Sequence, residues 1–126
     1  MKLGKSLEDY LEAILVLKNT RGSVRSVDVA RYLGFSKPSV SVAMKELRNL
    51  EYVENGDDGE LELTDSGMKT AEQVYERHRF FSEYLKSIGV EPETAERDAC
   101  QMEHAISSES FEKLKEALAK NKQDIK

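Results

Sequence analysis

Gly34-Phe35-Ser36-Lys37-Pro38 constrains the fold more than any other stretch of the chain. Glycine permits a left-handed turn, and proline in a helix's first turn loses no hydrogen bond, because its missing N–H has no partner there. Upstream, Ser26 is placed to cap a short helix over 27–33. Downstream, Val40, Ala43, Met44 and Leu47 recur at helical spacing. Two helices joined by a tight glycine turn, the second with small hydroxyl residues at its front, make the arrangement of a helix-turn-helix DNA reader. Tyr52-Val53-Glu54 and Leu61-Glu62-Leu63 then flank Asn55-Gly56-Asp57-Asp58-Gly59, a turn rich in residues that tolerate positive φ. A hairpin directly after the second helix is a wing, which the simpler reading of an ordinary helical hairpin does not predict.

Charge supports this reading locally and opposes it globally. The 126-residue chain has a net charge of −5, yet residues 25–50 hold five basic side chains (Arg25, Arg31, Lys37, Lys45, Arg48) against two acidic ones. An acidic protein with one basic segment can meet DNA through that segment. Arg25, Ser36, Lys37, Ser39, Ser41 and Lys45 are expected to contact phosphates or base edges. Asp57 and Asp58 at the wing tip repel phosphates, leaving Asn55 and the glycine amides as the wing's contacts.

On either side of this unit the patterns are helical. Ser6 with Glu8 and Asp9 reads as a helix start, and the helix runs to about Asn19 with Leu7, Tyr10, Leu11, Ile14, Leu15 and Leu17 as its apolar stripe. By periodicity Asp9 and Glu12 are a solvated face. Thr64-Asp65-Ser66-Gly67 caps a long helix over about 68–87, whose apolar stripe includes His78; a lone histidine there reads as a satisfied interior residue. Gly89 ends it, and Glu91-Pro92-Glu93 opens the next. A last amphipathic helix with Phe111, Leu114, Ala117 and Leu118 tails into Lys120-Asn121-Lys122, read as a frayed end.

Cys100, Glu103 and His104 stand at i, i+3 and i+4 on one helical surface, with Glu96 on the same arc and Ala95, Ala99, Met102 and Ile106 on the core-facing one. Three readings stay open on spacing alone. One is a polar helix face with a semi-buried cysteine. A second is a transition-metal site, which needs donors from elsewhere because one helix supplies three at most. The third is a Cys–His nucleophile, for which no oxyanion element is evident.

Composition narrows the setting. One cysteine forbids an intrachain disulfide, and there is neither a secretory leader pattern nor a run of 18 apolar residues, so a cytoplasmic protein without a membrane partner is expected.

Ser6-Leu-Glu-Asp-Tyr-Leu-Glu12, Ser36-Lys-Pro-Ser-Val-Ser41, Leu61-Glu-Leu-Thr-Asp-Ser-Gly67, His78-Arg79 and Asp98-Ala-Cys-Gln-Met-Glu-His104 occur in the order found in one family. The chain resembles the metal-dependent repressors that include the diphtheria toxin repressor and the manganese transport regulators, in their shorter form without an SH3-like domain. The resemblance implies a mainly α fold: an N-terminal winged helix-turn-helix with a small β-hairpin wing over 1–66, then an all-α dimerisation and metal-binding domain over 67–126. It implies Asp9, Glu12, His78, Cys100, Glu103 and His104 as metal ligands, with Glu96 as an accessory one, which reverses the readings of Asp9, Glu12 and His78 given above. It also adds Pro38 and Val42 to the DNA-contact set; Val42 can touch a thymine methyl but cannot hydrogen-bond a base edge.

The implied protein is a homodimer that binds double-stranded operator DNA and represses metal-uptake genes when loaded with Mn²⁺ or Fe²⁺. Manganese-type members carry a carboxylate where Cys100 stands, and iron-type members carry the cysteine but a methionine where Asp9 stands. This chain mixes the two. Its oxygen donors favour Mn²⁺, while the thiolate shifts preference toward Fe²⁺, Co²⁺ or Zn²⁺. The alternative is a winged-helix regulator answering a non-metal or redox signal through Cys100.

Overall fold

The computed structural model describes residues 4–124. In chain order these form α1 (Lys5–Arg21), α2 (Ser26–Leu33), α3 (Lys37–Asn49), β1 (Val53–Asn55), β2 (Leu61–Leu63), α4 (Asp65–Ser87), α5 (Pro92–Ala105) and α6 (Ser108–Asp124). The architecture is mainly α, as expected, with one two-stranded antiparallel hairpin among the described residues. The chain divides into two compact units, residues 1–75 and 76–126. The division falls inside α4, whose first turns pack Ala71 and Tyr75 into the N-terminal core. The expected boundary after residue 66 lies at the start of that helix.

In the first unit, Leu11, Ile14, Val24, Val29, Val40, Met44 and Leu47 are all fully buried. Two caps differ from expectation. Helix α1 starts at Lys5 after Gly4, so Ser6 lies inside it and does not cap it. Ser26 is likewise the first residue of α2; the Asp28 carboxylate does the capping, accepting the Arg25 N–H at 2.9 Å. A carboxylate in the first turn can reach back to the cap position, which a hydroxyl already in the helix cannot do. The turn into α3 is as expected. Gly34 is left-handed (φ 73°), the Ser36 hydroxyl accepts the Ser39 N–H, and Pro38 sits in the first turn.

The hairpin pairs Val53 with Leu63 and Asn55 with Leu61. One further rung, Leu61 N–H to the Val24 carbonyl at 2.8 Å, ties it to the segment before α2. Thr64 caps α4 by accepting the Gly67 N–H at 3.0 Å. Gly67 is required there, because a Cβ would lie 1.9 Å from the Tyr52 carbonyl oxygen.

The core of the second unit is Phe81, Ala99 and Phe111, flanked by Phe80, Met102, Ile106 and Leu114. The phenylalanine rings meet edge-on or tilted at 5.3–5.9 Å, geometries favoured by the ring quadrupole. Helix α6 continues through Asp124, so the expected frayed end at 120–122 is helical backbone. Among the described residues no helix is long and apolar enough to cross a membrane.

Candidate metal centre and nucleic-acid interface

Helices α4 and α5 bring together, within the second unit, residues more than twenty positions apart. One donor atom each from His78, Cys100 and Glu103 lies within 4.8 Å of the others. Ala95 and Ala99 are fully buried, and this packing of α5 sets Glu103 inward at 1% exposure while Cys100 stays exposed. Glu103 Oε1 lies 2.9 Å from His78 Nδ1. Its other oxygen is buried with no hydrogen-bond partner among the described residues, 3.8 Å from His104 Nε2. A buried carboxylate oxygen left without a donor is costly unless a cation completes it. A thiol and imidazole nitrogens around that carboxylate fit a divalent transition metal.

His78 is not the satisfied apolar-stripe histidine that periodicity alone suggested. Hydrogen bonding to the Cys100 sulfur, then to Glu103 and Glu96, outweighs burial and raises its imidazole from 6.5 to about 11. Without metal it is an imidazolium among anionic groups, occupying electrostatically the role of the cation it would help to hold. Glu96 accepts from His78 Nε2 at 3.1 Å, from the Ser82 hydroxyl, and from Lys86 Nζ at 3.3 Å. Its carboxyl is lowered to about 2, chiefly by the Ser82 hydrogen bond and then by His78 and Lys86, against a desolvation cost.

Two residues of this neighbourhood, Lys86 and Arg77, were not singled out by sequence. Lys86 is two turns beyond His78 on α4, with Ser82 one turn beyond, and helical spacing was the available signal. Arg77 donates to the carbonyls of Glu103 (3.3 Å) and Ile106 (2.7 Å) and to the Ser108 hydroxyl (3.0 Å). Its guanidinium also lies over the Phe111 ring at 5.4 Å. It thus ends α5, starts α6 and holds the turn that carries Glu103 and His104. Asp9 and Glu12 stand three residues apart on α1 of the first unit, both half-buried.

On the first unit, Ser36, Lys37, Pro38, Ser39, Ser41, Val42 and Lys45 are all exposed, with Val42 at 69%, while the opposite face of α3 is core. A shallow groove between the front ends of α2 and α3 is lined by Ser26, Val27, Lys37 and Ser41. Arg25 reaches away from α2 to donate to the Asp58 carbonyl, and Arg48 approaches Asn55 Oδ1 at 3.4 Å. Both arginines fasten the wing, so the expected contacts Arg25 and Asn55 also have structural work.

Two family models match the chain. "Iron dependent repressor, N-terminal DNA binding domain" covers residues 2–61, and "Iron dependent repressor, metal binding and dimerisation domain" covers 64–126. Transcriptional regulator MntR of Salmonella typhimurium is 38% identical over 106 residues, 84% of this chain and 68% of that protein. The HTH-type transcriptional regulator MJ0568 of Methanocaldococcus jannaschii is 30% identical over 125 residues and is matched along its whole length. Among solved structures, IdeR of T. acidophilum superposes with a TM-score of 0.77 at 26% identity over 94% of this chain. A manganese-dependent transcriptional repressor in complex with manganese superposes with a TM-score of 0.79 at 26% identity over 90% of it. The chain spans about half the length of these two, 55% and 52%.

Proposed function

The chain belongs to the iron-dependent repressor family, and on that premise we propose that it is a homodimeric cytoplasmic repressor of metal-uptake genes that binds operator DNA when loaded with Mn²⁺. Fe²⁺ is the alternative corepressor, and Co²⁺ or Zn²⁺ can substitute. The protein is a regulator and not an enzyme. The observation that carries the reading is the buried Glu103 carboxylate, one oxygen without a hydrogen-bond partner among the described residues, clustered with His78, Cys100 and His104.

In this reading His78, Cys100, Glu103 and His104 are ligands, and Asp9 and Glu12 add the oxygen donors that the family resemblance assigns to α1. Residues 1–66 read DNA, and 67–126 bind metal and dimerise. The bound ion supplies the positive charge that holds these donors together. If α1 contributes ligands, the state in which α1 and α5 are both engaged gains the ion's binding free energy. Residues Ser36 to Lys45 of α3 then meet the major groove, with the dimer setting the spacing of the half-sites.

The test is a titration of chelator-stripped protein against operator-region DNA at constant salt, with Mn²⁺, anaerobic Fe²⁺, Zn²⁺ or no metal. Binding that requires metal is expected. Equal affinity with and without metal overturns the corepressor reading, and affinity that ignores chelator but falls with peroxide gives Cys100 a redox role instead.

A further inference from the structure

We infer that Glu96 is not an accessory metal ligand but the positioning residue for His78, and that Ser82 and Lys86 hold it in that role. Both of its oxygens are already engaged. One accepts from His78 Nε2 at 3.1 Å; the other takes the hydroxyl of Ser82, itself buried to 3% exposure, and the ammonium of Lys86 at 3.3 Å. An ammonium thus stands where a second ion would have to bind, and a serine stands beside it with no charge to offer such an ion.

The consequence is directional. A histidine whose Nε2–H donates to a fixed carboxylate has its tautomer and ring orientation set, leaving Nδ1 for the metal. His78 Nδ1 lies 2.9 Å from Glu103 Oε1, and Glu103 belongs to the same donor cluster as Cys100. The chain Ser82–Glu96–His78 therefore aims one nitrogen into the donor cluster. Lys86 neutralises the charge that would otherwise recruit a second cation.

The inference rests on the reading of His78 as a metal ligand, and the experiment separates the two. Full-length protein and its H78A, E96A, E96Q and S82A variants are titrated with Mn²⁺ against a chelating indicator for affinity and stoichiometry. The Cd²⁺-loaded forms are compared by imidazole ¹⁵N shifts, with H104A assigning the two rings. Positioning predicts a 10–100-fold loss of affinity in E96A at unchanged stoichiometry, a smaller loss in S82A, and recovery in E96Q, whose amide oxygen still accepts the Nε2–H. It also predicts Cd²⁺ on Nδ1 of His78 in the parent and mixed or broadened ring signals in E96A. A ligand role for Glu96 predicts fewer ions bound in both E96A and E96Q, and that result overturns the inference. Parent-like affinity and ring signals in E96A, with H78A weakened, overturn it as well while leaving His78 a ligand. Parent-like binding by H78A overturns the ligand reading itself.

Discussion

Glu103 and His78 share a hydrogen bond that any incoming ion must replace, so pH acts on this protein in two opposite senses. His78 has a folded value near 11 against 6.5 when unperturbed. Without metal, its contribution to stability is complete below about 6.5 and is lost as pH rises toward 11, because the folded state is the one that holds the proton. Metal binding must release that proton, so apparent metal affinity rises with pH over the same window, by about tenfold per pH unit from His78 alone. Denaturant melts of metal-free protein from pH 6.5 to 10 and indicator titrations at each pH are expected to show opposite slopes. In H78A the melt loses its slope, and a melt unchanged from the parent would refute the assignment. At the same scale, Glu103→Ala and His104→Ala are each expected to abolish metal-stimulated DNA binding while leaving the helical circular dichroism intact. Retention of metal stimulation in both variants would remove them from the site.

Among the elements, the winged unit and the α4–α5 pair depend on different contacts. Leu47→Ala opens a cavity in the fully buried face of α3 and is expected to cost about 3 kcal/mol in chemical denaturation. Gly67→Ala presses a methyl against the Tyr52 backbone carbonyl and should destabilise by about 3 kcal/mol as well, since neither partner can rotate away. Arg77→Ala withdraws charged donors from two carbonyls at the α5–α6 junction. A loss of about 2 kcal/mol with weaker metal binding is expected, because the turn it holds carries Glu103 and His104. On the exposed face of α3, Lys37→Ala and Lys45→Ala should weaken binding across all DNA sequences. Each should reduce the salt slope of log affinity by about 1, as loss of one phosphate contact does, and an unchanged slope removes the residue from the phosphate contacts.

For the whole molecule, metal that binds only the folded state must stabilise it: about 2.7 kcal/mol at free Mn²⁺ one hundredfold above its dissociation constant, reversed by chelator. Calorimetry with and without chelator measures this, and an unchanged melting temperature would mean that the ion is not bound in the folded state. The helix-turn-helix, the wing and the helix order were legible in the chain because they rest on local chemistry. Examples are the φ freedom of Gly34, the missing N–H of Pro38, and the 3.6-residue recurrence of Val40, Ala43, Met44 and Leu47. Ser26 differs from the expected cap because the Asp28 carboxylate reaches back to the Arg25 N–H, and Ser6 because α1 already starts after Gly4, where glycine also serves as a cap. The cluster on α5 was visible as spacing, and resemblance gave it a function, but neither showed that Glu103 is buried with one oxygen unpartnered or that His78 lies between two carboxylates. Those relations, with the hold of Ser82 and Lys86 on Glu96 and of Arg77 on the α5–α6 turn, join residues 10 to 31 positions apart. Periodicity describes one helix at a time, whereas the distance between side chains on two helices is set only when their apolar faces pack.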